Sequence, residues 1–190
     1  MKRVRYLTLL CMALFVWVAC KNSGPSKNDI QSMKEQAMKV ATYITDNYQK
    51  GDSVYFVRTD LISDEKQIER FVVAWSELNE LGYYSEQEKE EDELIREIEG
   101  YNVAFKMENK ENQLTFDYNN SFDSDSHKIV ETSFIRINQP QHSIDDEPIH
   151  SFKNDYLIVM WAKDKCTMQR KVGIIRFSND QYSWELVEKN

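Results

Sequence analysis

Ser63 to Gly82 reads SDEKQIERFVVAWSELNELG, and the fold class turns on this segment. Ser63 ahead of Asp64 and Glu65 suits the opening of a helix, where carboxylates meet the partial positive charge of free N–H groups. Ile68, Phe71, Val72, Trp75 and Leu78 then recur at helical spacing as one buried face, and Gly82 offers a stop. The spacing predicts a helix over 63–82.

The same periodicity lies on either side. Upstream, Ile30, Met33, Ala37, Val40, Ala41, Ile44 and Tyr48 form one apolar stripe, with Asn28 and Gln31 as a capping box and Gly51 as the end. Val54 to Val57 is a brief strand or buried coil. Downstream, Ser85 and Glu88 open a third helix whose apolar patch is Leu94, Ile95 and Ile98, ending at Gly100. From Tyr101 the period drops to two. Tyr101, Val103, Phe105 and Met107 alternate with polar residues, as do Leu114, Phe116 and Tyr118 beyond a turn at 108–112. Strands are also predicted at Ile129–Ile137, Tyr156–Trp161, Val172–Phe177 and Tyr182–Val187, the last two joined tightly through Ser178–Gln181.

Helices first and strands afterwards give an α+β expectation. Two to three N-terminal helices pack on a curved antiparallel sheet of about five to six strands, within one globular domain over 28–190. That order of elements is similar to NTF2-like (cystatin-like) cones, and the resemblance implies a pocket at the wide end of the sheet.

The beginning of the chain carries a different message. Lys2, Arg3 and Arg5 precede an uncharged run of 14 residues, Tyr6 to Ala19, too short for a bilayer span of ~20 residues and suited to a signal-peptide core. The run closes on Val18-Ala19-Cys20, followed by the polar tether Lys21–Ser26. These residues resemble the lipobox of bacterial lipoproteins. The resemblance implies cleavage after Ala19, acylation of Cys20 as the membrane attachment, a signal peptide over 1–19 and a lipidated tether over 20–27. Lys21 rather than Asp after the Cys implies an outer-membrane location, facing the periplasm or the cell surface. Trp17 departs from the pattern, which favours an aliphatic residue there. The alternative is an ordinary secretory signal with Cys20 as a plain thiol.

Composition narrows the partners. Residues 20–190 hold 21 basic against 32 acidic side chains, a formal charge of −11. Such a domain is a poor match for nucleic acid, whose phosphates require clustered Lys and Arg, and for an anionic lipid surface. Cys11 leaves with the leader and Cys20 is the acylation site, so Cys166 stands alone and no intramolecular disulfide is expected. It is read as an incidental thiol in a polar connector, with a nucleophile whose pKa the flanking lysines lower as the functional alternative, disfavoured because no His lies near it in sequence.

Three clusters carry residue types that could do chemistry. Glu86 to Glu93 holds six acids and one lysine, read as a solvated helix start because it lacks the glycine of a calcium loop. His142, Asp145, Asp146 and His150 are the weak metal candidates, in a segment bounded by Pro140 and Pro148 whose eight-residue His–His spacing fits no zinc motif. Asp123 to His127 is read as a polar turn, with an Asp125–His127 acid/base pair as the functional alternative. No phosphate loop, nucleophile elbow or C-x-x-C pair appears, so no cofactor is expected. Trp75, Trp161 and Trp184 are assigned to the core, and Tyr83-Tyr84 to an exposed contact.

The function expected on these grounds is a lipid-anchored envelope module that binds a small ligand, a glycan or another protein. An enzyme using a pocket beneath the helices is one alternative. An acidic inhibitor or immunity-type protein is the other.

Overall fold

The computed structural model describes the backbone of residues 24–85, 95–138 and 148–189, and the side chains of all these except 83–85, 95–97 and 188–189. It overturns the α+β expectation and the NTF2-like cone. One helix, α1 (Lys27–Ala41), precedes ten strands: β1 (Ser53–Asp60), β2 (Lys66–Ser85), β3 (Ile95–Glu108), β4 (Gln113–Asp123), β5 (Lys128–Ile137), β6 (Ile149–Lys153), β7 (Tyr156–Trp161), β8 (Asp164–Gln169), β9 (Gly173–Ser178) and β10 (Tyr182–Lys189). All belong to one sheet in the order β5-β4-β3-β2-β1-β10-β9-β8-β7-β6, an up-and-down meander rolled into a nearly closed barrel.

The 63–82 segment is where the helical reading fails. Ser63, Asp64 and Glu65 belong to the β1–β2 turn, where Asp60 Oδ1 accepts from the Ile62 and Ser63 N–H groups and Asp64 sits at φ 59°. Beyond it Glu69, Phe71 and Val73 face inward while Ile68 and Val72 face out, partly exposed. A bulge at Ala74, between the pairs Val73–Met107 and Trp75–Lys106, then shifts the alternation by one residue. An inward acid, outward aliphatics and one phase slip together imitate a 3.6 period. Trp75, assigned above to the core, is 39% exposed as a result. The expected third helix is likewise replaced: Ile95 to Gly100 begin β3, and 86–94 lie outside the described residues.

α1 is shorter than expected. Ser26 is its N-cap and Asp29 completes the capping box, in place of Asn28 and Gln31. After Ala41 the β-branched and aromatic run Thr42-Tyr43-Ile44-Thr45 leaves the helix, and Tyr43, Ile44 and Tyr48 enter the core instead. Met33, Ala37, Val40 and Ala41 press onto β3 and β4 and close one end of the barrel. Tyr48 Oη accepts from Ile174 N (2.8 Å), and Tyr43 packs on Phe152 and Arg170. The helix also extends the sheet's interior: Asn120, fully buried on β4, donates to Met33 O (2.7 Å) and accepts from Tyr101 N.

The opposite end is closed by polar groups. Buried Glu69 receives Arg58 (3.0 Å), Gln67, Asn109, Asn112 and the Trp184 indole N–H (3.0 Å). Asn138 ties this cluster to β5 through Asn112 and the Gln113 N–H. Between the two ends Phe56, Phe71, Phe105, Phe116, Phe177, Trp184 and Met107 fill the interior, each no more than 1% exposed. Burial of side chains this large contributes roughly 1.5–3 kcal/mol apiece.

Candidate recognition surface

The barrel closes by a backbone ladder between β1 and β10, and its two edges, β5 and β6, meet instead through side chains. His150 lies there, on β6. Its Nδ1 is 3.0 Å from Ser133 Oγ, its Nε2 is 3.5 Å from a Glu131 carboxylate oxygen, and Tyr118 donates to that same carboxylate (2.9 Å). Burial foremost, and then the Glu131 charge, push the Tyr118 phenol well above its ordinary value, so it stays a donor. Further along, Phe134 and Arg136 cover Trp161, and Ile137 N donates to buried Asp164 (2.7 Å).

The Ser133–His150–Glu131 contact has the residue types of a hydrolytic triad. Ser133, however, is 2% exposed within a strand, and the imidazole is packed edge-on against Tyr118 and Phe152. A nucleophile must reach its substrate. The arrangement suits a side-chain latch across the seam.

The other sequence candidates disperse. His142, Asp145 and Asp146 lie outside the described residues, and His150 is a strand residue of the seam. Among the described residues no group of three or more His, Cys, Asp or Glu side chains gathers as a metal site. Asp123 to His127 is the β4–β5 turn, with Asp123 accepting from Asp125 N and Ser126 Oγ. Cys166 is a fully buried residue of β8, not a loop thiol, and burial pushes its thiol up, opposite to the lowering that the nucleophile alternative requires. Cys20 and the leader lie outside the described residues. No described helix is long and apolar enough to cross a membrane.

What the strand assignment brings together is the β2–β3 hairpin. β1 leaves β2 at the pair Ser53–Val72, and β4 leaves β3 at Gly100–Ser121. Past those points β2 has only β3 beside it, and 82–85 with 95–98 form a two-stranded arm. Gly100 marks the branch, since a Cβ there would collide with the Asn120 carbonyl oxygen. Residues 77–99 hold ten acids and two bases, a formal −8 of the −11 carried by residues 20–190, with 86–94 outside the described residues. Glu77, Glu80 and Glu99 are exposed, with Leu78 and Leu81 exposed among them.

A cleft of about 340 Å³ opens where β1 departs, lined by Lys50, Ala74, Trp75, Ser76, Glu77 and Ala104. Lys106 sits over the Trp75 ring, 4.9 Å from its centre. Sequence reasoning missed this surface because a helical reading puts Trp75 inside and scatters the acids; the count of charge along 77–99 was the available signal. No family model, curated protein or solved structure matches this chain.

Proposed function

We propose that the protein is a lipid-anchored cell-envelope recognition module, attached through Cys20, whose acidic β2–β3 arm engages a cationic protein partner. The observation that carries the reading is the charge partition: of the formal −11 over residues 20–190, −8 falls within residues 77–99, whose described acids Glu77, Glu80 and Glu99 are exposed on a barrel filled inside. Clustered like charge on an exposed element speeds encounter with an opposite partner and rejects wrong ones. The filled interior favours recognition at the outer surface over a ligand held within the barrel.

The two halves of the reading are tested separately. In cells, Cys20→Ser is expected to abolish acyl labelling and release the chain from the membrane fraction; a variant that stays labelled and membrane-bound overturns the anchor. For the arm, a photoreactive side chain at Leu81 is expected to crosslink to a basic protein in whole cells, while one at Tyr156, on the far side of the barrel, does not. Crosslinks of Leu81 should fade in Glu77→Lys with Glu80→Lys. Equal crosslinking from both positions, or none from Leu81, sinks the arm as the recognition surface.

A further inference from the structure

Resting on that reading of the arm, we propose that the open edge of β2 from Ala74 to Leu81 is a strand-addition site for an extended, cationic segment of the partner. On the β1 side, Val73 is the last residue of β2 whose backbone is satisfied, accepting from Gly51 N (2.8 Å) and donating to Asp52 O (2.9 Å). From Ala74 onward no strand among the described residues pairs with this edge. Eight residues is ample for an added strand, since natural strands have a mode of about 5–6.

An unpaired edge of this length templates pairing unless it is guarded. Here the guard is charge, from Glu77 and Glu80, and that charge also selects the occupant. A second copy of this chain, pairing edge to edge, would set its own Glu77 and Glu80 beside those of the first. Like charges across adjacent strands oppose pairing. Glu77 shares one face of β2 with Trp75 and Leu81, and Glu80 shares the other with Leu78, so an added strand carrying basic and apolar residues on both faces meets an acid and an apolar side chain on each, while its main chain completes the ladder.

The cleft is the second, independent observation. It lies on the line that β1 vacates, with Lys50 from the preceding turn at its head. In its wall the Ser76 hydroxyl oxygen is screened from solvent and has no hydrogen-bond partner. Buried polar atoms ordinarily find one. A peptide group entering the cleft would supply it.

The test uses the full chain and a fluorescent decapeptide of Lys-Lys-Val-Val repeats (the Lys-Val peptide), which carries both residue types on each face, followed by anisotropy. Binding is expected, with new hydrogen-exchange protection at 74–81. N-methylation throughout the peptide keeps its charge and removes its N–H donors, and should weaken binding tenfold or more. Glu77→Lys with Glu80→Lys should weaken it comparably, and a Glu-Val peptide should not bind. Equal affinity for methylated and unmethylated peptides would mean that charge alone holds the partner, which overturns strand addition and leaves the arm as the recognition surface. No binding of the Lys-Val peptide alongside persistent Leu81 crosslinks in cells overturns it in the same way. Failure of both experiments removes both claims.

Discussion

Gly173 and Tyr48 show how closely the two ends of the chain are fitted. Gly173 has φ +99°, and a Cβ there would overlap the end of the Tyr48 ring, whose hydroxyl accepts from Ile174 N. Gly173→Ala therefore meets backbone strain and collision together, and should cost at least ~2 kcal/mol in urea unfolding. Tyr48→Phe leaves a buried N–H unpaired and should cost about 1–3 kcal/mol. Because the two residues touch, the double variant should lose less than the sum; strict additivity would show the contact to be unimportant. Cys166 yields a second expectation. Buried on β8 with its thiol pushed up, it should resist maleimide until the protein unfolds, as mapped by mass spectrometry of its peptide. Rapid labelling of the native chain would contradict its burial. Glu69 could not be placed from sequence: an acid inside a barrel is tolerated only because five donors, from β1, the β3–β4 turn, β10 and its own strand, converge on it.

At the scale of elements, α1 has a start that pH can probe. The Ser26 hydroxyl, then its backbone N–H, hold the Asp29 carboxyl below its ordinary range. Its folded value lies below the unfolded one, so the stabilisation is complete above the unfolded pKa and lost as pH falls through the folded one. Ser26→Ala should cost about 1 kcal/mol at neutral pH and distinctly less at about pH 3, by thermal unfolding. A cost independent of pH would show that the charged Asp29 adds nothing to the cap. Elements were legible where their pattern ran unbroken. α1 and the strands from Tyr101 to Met107, Tyr156 to Trp161 and Tyr182 to Val187 follow from periodicity alone. β8 did not, because its turn carries a weak signal: Ala162 takes positive φ at 52°, and Ala162-Lys163 has none of the usual turn chemistry; β6 did not because it is only five residues long, although Asn154-Asp155 beyond it is ordinary turn chemistry. β2 was hidden by its bulge.

For the whole molecule, the seam makes the clearest prediction. β1 is laddered on both sides, whereas β5 has β4 on one side and mainly side chains on the other. Amide exchange should therefore be orders of magnitude slower along β1 than at the seam-facing amides of β5. Equal protection would mean a closed ladder. The chain's own letters decided what is local: an amphipathic helix near the start of the domain, the alternation of most strands, a run of acids, and a lipobox-like start. Only tertiary structure decided which edges meet, that Glu69 and Asn120 are interior, and that 66–85 is a strand. The physical reason is range. Periodicity reports one face of one element, while a bulge, a buried acid and a side-chain latch are stabilised by partners tens of residues away, whose positions no local pattern encodes.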